Sequence, residues 1–216
     1  NKDIAYMIGK VIATESVEND IVINLGPGFN IHRNILNGRN AEYYSEDPFL
    51  SGTMAGNQGK GLEENGVGAT YKHMFANNAE TLRKSQESIV SERALREIYL
   101  KNFEYAFRTH KPVSIMNCYN ALNGIYPAES SELMQGFVRD ELGFDGIIMT
   151  DWFSYSTIDE IEIAKAGSNW ISDGDKEHIN KLYKAGKITQ AEMIEKIKEW
   201  DAGHKSLHPR FYKSNK

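Results

Sequence analysis

Short apolar runs alternate along this chain with longer segments whose apolar residues recur every three or four positions. The first segment, "NKDIAYMIGKVIATE", predicts an amphipathic helix with Ile4, Met7, Ile8, Val11 and Ile12 on one face. Strands are predicted over 20–28, 66–74, 111–120, the stretch "GIIMTDW" (146–152) and, more weakly, 169–174. Helices are predicted over 45–66, 91–110, 130–143 and 158–167. The helix at 45–66 has Asp47 as its N-cap and Pro48 at its first position, and the helix at 130–143 starts at a serine and ends at a glycine. Residues 175–200 read as two helical segments broken at Ala185–Gly186, and 201–216 as a polar, basic tail.

About five strand–helix repeats of this kind predict an α/β domain with parallel strands and right-handed crossovers. Periodicity alone leaves a doubly wound sheet and a (β/α) barrel both open. The polar residues separate them. Four strands end in polar or aromatic clusters: Lys72-His73, Asn117 to Asn120, Thr150-Asp151-Trp152 and Ser172-Asp173. In a barrel those ends meet on one rim, where function sits. An apolar strand can then end on a carboxylate because it opens into a polar pocket.

Composition narrows the function classes. The 216 residues are 40% hydrophobic and 25% charged, a globular balance. A net charge of −5 and a pI near 5.7 argue against nucleic acid or an anionic membrane as the main partner. No apolar run approaches the ~20 residues of a membrane span. The single cysteine, Cys118, can make no internal disulfide and no cysteine-rich metal site, and it fits a reducing, cytoplasmic setting, with a secreted form as the alternative because secreted enzymes can lack disulfides too. No phosphate-binding glycine motif is present, no metal-ligand set has recognisable spacing, and no cofactor is expected.

Five motifs together resemble glycoside hydrolase family 3, and its β-glucosidase branch most. They are "LGPGFNIHRNILNGRNAEYYSEDPFLSG" (25–52), "YKHMFANNAETLR" (71–83), "SERALREIYLKNFEYAF" (91–107), "SIMNCYNALNG" (114–124) and "GFDGIIMTDW" (143–152). The resemblance runs over residues 1–200 and implies a TIM-type (β/α) barrel, incomplete at its N-terminal side. It also implies retaining, exo-acting hydrolysis of β-linked glucosides or oligosaccharides. Asp151 matches the family's nucleophile, a role that requires a carboxylate kept ionised by nearby cations and hydrogen bonds, with Lys72 the first candidate.

Lys72, His73, Arg39 and Arg83 match sugar-binding residues, and Met116 and Tyr119 match residues lining the same subsite. Trp152 offers an apolar face to a sugar ring. Most also have a plainer reading: an N-cap for Asp151, a surface lysine beside a satisfied histidine for Lys72 and His73, a loop brace to Glu42 or Asp47 for Arg39, an exposed helix charge for Arg83, core packing for Tyr119 and Trp152. His32 reads as structural.

The chain departs from the family in three places. It opens in a helix with nothing to match the family's first strand and its sugar-binding acid. No segment matches the domain that carries the general acid/base, which is therefore expected on a further domain of the same polypeptide. The stretch after Asp151, "FSYSTIDEIEIAKAG", is short. The alternatives are a related β-xylosidase and a catalytically incomplete carbohydrate-binding fragment. Lys72-His73-Met74-Phe75-Ala76 differs from the Lys-His-Phe-Pro-Gly pattern of the hexosaminidase branch, which argues against that activity.

Overall fold

The computed structural model describes residues 1–154, 160–172, 183–186, 189–191 and 194. Its centre is a parallel sheet in the order β1 (Ile23–Asn24), β2 (Gly68–Met74), β4 (Ser114–Asn117) and β6 (Ile147–Met149). A single bridge from Met149 to Trp170 continues the sheet where the weak strand is predicted. A second, two-stranded parallel sheet joins β3 (Glu87–Ser88) to β5 (Ala121–Leu122). Helices α1 (Lys2–Glu18), α2 (Pro48–Glu63), α3 (Glu92–Ala94), α4 (Lys101–Thr109) and α5 (Glu160–Ala166) alternate with the strands.

Asp47 caps α2 by accepting from the Phe49 amide, as its sequence predicts. The helix expected at 91–110 contains a π-helical turn, Leu95–Tyr99, marked by the i+5 bond from the Leu100 amide to the Leu95 carbonyl. The helix expected at 130–143 is π-helical over Glu132–Glu141. The turn at Ala185–Gly186 is present, with Gly186 at positive φ. Asp173, most of 175–200 and the 201–216 tail lie outside the described residues.

One expectation is overturned. Of the apolar stripe of α1, Ile12 alone packs against the core: Ile4, Met7, Ile8 and Val11 are exposed, and the buried face carries Ala5, Gly9, Ala13 and Ser16. Backbone proximity explains the inversion. A methyl at Gly9 would stand 2.1 Å from the Gln58 carbonyl oxygen, and one at Gly61 would stand 2.1 Å from that of Tyr6. Helices this close leave no room for large side chains between them.

Strand alternation sorts the sheet into two faces. Ala69, Tyr71, Ile115 and Ile148 point to the helices and join the main core with Phe29, Phe75, Phe103 and Phe107. Phe29 is the hub, edge-on to Tyr71 at 5.3 Å and 4.5 Å from Phe103. Its carbonyl accepts from Ser51 on α2 and Asn102 on α4, both at 2.8 Å. The other face carries Met116, Ile147 and Met149, which form a smaller cluster with Val113 just before β4. This is the inner side of an α/β fold of TIM-barrel type.

Candidate active site

Of the predicted site residues, Lys72, His73, Met116, Tyr119, Asp151 and Trp152 lie at or just after the C-terminal ends of strands, and Arg39 and Arg83 lie in loops. Lys72 on β2 pairs in register with Met116 on β4, and Met116 with Met149 on β6. Asp151 follows two positions after Met149, the period of a strand. Thr150 is tied across to the next segment, its amide donating to the Trp170 carbonyl and its hydroxyl accepting from the Ser172 amide. The Lys72–His73 and Met74–Phe75 peptides are cis.

Asp151 is 8% exposed. Its Oδ1 accepts from the Trp152 amide at 2.7 Å, and its Oδ2 lies 3.6 Å from His73 Nε2. Burial pushes its carboxyl above the ordinary aspartate range, while the Trp152 amide and the charges of Arg39, Arg83 and Lys72 act in the opposite direction. Desolvation thus outweighs the cations and the hydrogen bond expected to keep this group ionised. Lys72 forms no close ion pair with Asp151, and its own ammonium is pushed down by burial.

His73 is fully buried, and burial followed by the charges of Arg39, Lys72 and Arg83 holds it well below the usual imidazole range, hence neutral. Its backbone is clamped to the Asn30 side chain by two 2.8 Å bonds. Arg39 makes the loop brace foreseen for it, an ion pair with Glu42. Arg83 pairs with Glu80 at 3.1 Å and lies over the Tyr119 ring, 4.3 Å from its centroid. Tyr119 is 3% exposed and donates to the Trp152 carbonyl, and burial together with the Asp151 charge pushes its phenol up to about 12. Met116 is buried in the inner cluster. The core-packing reading of Trp152 fails: it is 48% exposed, edge-on to Phe153. His32 leaves Nε2 buried without a partner.

Sequence reasoning missed a second layer. Tyr43 meets His73 Nδ1 at 3.2 Å, Asn77 meets Tyr43, and Glu80 joins Asn77 to Arg83. The spacing Asn77-x-x-Glu80-x-x-Arg83 was the available signal. Asp151 therefore sits within a loop of contacts running through His73, Tyr43, Asn77, Glu80, Arg83, Tyr119 and Trp152. A groove of about 560 Å³ on the outer side, between α4 and Glu132–Glu141, includes none of the predicted site residues. Among the described residues no helix is long and apolar enough to cross a membrane, and no cluster of three or more His, Cys, Asp or Glu is placed to hold a metal.

A buried carboxylate at a strand end, among three cations and a neutral imidazole, suits a polyhydroxylated substrate, and known proteins share the arrangement's scaffold. The family model described as the glycosyl hydrolase family 3 N terminal domain matches residues 1–198. A β-glucosidase of Ruminococcus albus is 49% identical over 154 residues, 71% of this chain and 16% of the relative. An exo-α-(1→6)-L-arabinopyranosidase of Bifidobacterium longum is 43% identical over 152 residues, 70% of this chain and 20% of the relative. The structure of β-glucosidase 3B from Thermotoga neapolitana in complex with glucose superposes with a TM-score of 0.87 at 40% identity, covering 98% of this chain and 31% of that one. A β-glucosidase from Kluyveromyces marxianus superposes with a TM-score of 0.90 at 34% identity, covering 99% and 26%. The chain thus spans a fifth or less of the length of these curated relatives. It belongs to glycosyl hydrolase family 3, matching that family's N-terminal domain.

Proposed function

We propose that this chain carries the nucleophile and glycone-binding residues of a retaining, exo-acting β-glucosidase. The enzyme releases terminal non-reducing β-D-glucosyl residues through a covalent glycosyl–Asp151 intermediate. The observation that carries the reading is the setting of Asp151: Oδ1 is held by a backbone amide, and Oδ2 is turned toward His73 in the field of Arg39, Arg83 and Lys72. With Oδ1 engaged, Oδ2 is the oxygen that attacks the anomeric carbon as the glycosidic C–O bond breaks. An acid gives its proton to the leaving oxygen; the same group then takes a proton from water, which displaces Asp151. That acid/base is assigned to no residue here and is placed on a further domain of the same polypeptide. Lys72, His73, Arg39 and Arg83 hold the sugar hydroxyls, Met116 and Tyr119 line the subsite, and Trp152 stacks on the ring. Arg39 and Arg83 supply the forked donors that suit neighbouring hydroxyls.

The arabinopyranosidase relative supports a second reading. Arabinopyranose is a pentopyranose without the hydroxymethyl arm, so a pentopyranoside such as a β-xyloside is the competing substrate.

The test is the Asp151→Asn variant of the intact protein, assayed on nitrophenyl β-glucoside and β-xyloside. A fall of several orders of magnitude with folding retained supports the nucleophile assignment. Near-normal turnover would sink it, and the preferred glycoside separates the two substrate readings.

A further inference from the structure

We propose that Tyr43 is a positioning residue, which fixes the proton of His73 on Nε2, facing Asp151, through a directed chain of hydrogen bonds that begins at Glu80. Each link follows from what its group can donate. Glu80, paired with Arg83 at 3.1 Å, can only accept. Asn77 must therefore turn its amide NH2 toward Glu80 Oε1, 3.2 Å away. The second hydrogen of that NH2 meets the Tyr43 oxygen, also at 3.2 Å. Tyr43 accepts there and keeps one hydrogen of its own, and its remaining neighbour is His73 Nδ1 at 3.2 Å. Nδ1 must then present a lone pair. A neutral imidazole carries one proton, which falls on Nε2.

A proton on Nδ1 would leave Tyr43 between two donors with its own hydrogen unplaced. Beyond Glu80, which is partly exposed, the chain is shut off from water: His73 and Asn77 are each 1% exposed and Tyr43 5%. Burial and three neighbouring cations keep the imidazole neutral, so no second proton blurs the assignment. The consequence lies at Asp151. Nε2 stands 3.6 Å from Oδ2, and an N–H there attracts the carboxylate, whereas a lone pair would repel it. The tautomer rests on geometry alone; its effect on turnover rests on the reading of Asp151 as nucleophile.

The experiment is nitrogen NMR on the intact protein labelled with 15N-histidine, with His73→Gln used to assign the His73 signals among the six histidines. The expected spectrum shows Nε2 protonated and pyrrole-like, and Nδ1 unprotonated and pyridine-like with the shift of a hydrogen-bonded lone pair. Tyr43→Phe keeps the ring and removes the hydroxyl. It is expected to move Nδ1 toward the shift of an unbonded pyridine-like nitrogen and to lower kcat/KM roughly tenfold, the scale of one buried hydrogen bond. A protonated Nδ1 in the unmodified protein overturns the proposal, and that spectrum requires no variant to fold. An Nδ1 signal unmoved by Tyr43→Phe, or kcat/KM unchanged once the signal has moved, overturns it as well. Failure of the glucosidase reading is distinguishable, because then neither protein turns over the glucoside.

Discussion

Lys72 and Met116 are register partners across β2 and β4, and Met149 completes their row on β6. The row places a cation and two thioethers side by side on the inner face of the sheet, directly before the strand ends that carry His73 and Asp151. Met116 fills the inner cluster with Val113, Ile147 and Met149, and under the proposed function it also forms the floor of the sugar site.

Truncating that floor should cost both stability and binding. Met116→Ala is expected to lose about 2–5 kcal/mol, the usual range for emptying a buried methionine. Met116→Leu, which conserves volume, should lose less than about 1.5 kcal/mol. Denaturant midpoints with KM measured alongside check this. Full stability in the alanine variant would show that the inner face is not packed as described.

The pH profile carries a signed expectation. Burial holds the Asp151 carboxyl above its usual range, and turnover requires it ionised. The acid limb of kcat/KM therefore lies above the ~3.9 of a free aspartate. Arg39 and Arg83 both favour the ionised form, so Arg39→Gln and Arg83→Gln should each move that limb to higher pH. A limb that stays in place in both variants would remove these cations from the account of Asp151.

Two glycines should respond with opposite signs. Gly61→Ala drives a methyl to 2.1 Å from the Tyr6 carbonyl oxygen, so α1 and α2 must separate, at a cost of about 1–3 kcal/mol. Gly136 lies in the π-helical Glu132–Glu141 segment, and a methyl there meets nothing within 4 Å. Gly136→Ala should gain up to about 1 kcal/mol from the lower entropy of its unfolded chain. Thermal melts of the two variants, compared with the unmodified protein, decide it.

These glycines also mark where the sequence could be read and where it could not. The order of strands and helices was legible because period-2 and period-3.6 patterns report burial against a flat or a curved neighbour. Asp47-Pro48 was legible because a cap is local chemistry. The inward face of α1 was not: apolar size pointed to Ile4, Met7 and Ile8, whereas backbone approach selected Ala5, Gly9 and Ala13. The gathering of Lys72, His73, Asp151 and Tyr119 was legible from motifs at strand ends. The partners of His73 were not, because Tyr43 is thirty residues away in a loop of no regular period. The dominance of burial over charge at Asp151 depends on the packing of all its neighbours, which no single motif encodes.

The central claim is that Asp151 forms the covalent intermediate. Its most direct test is to incubate the intact protein with a 2-deoxy-2-fluoro β-glucoside bearing a dinitrophenyl leaving group, which departs with little acid assistance and leaves a slowly hydrolysed glycosyl-enzyme. Peptide mapping by mass spectrometry should find one fluoroglucosyl adduct, on the peptide containing Asp151. An adduct on any other peptide would contradict the account.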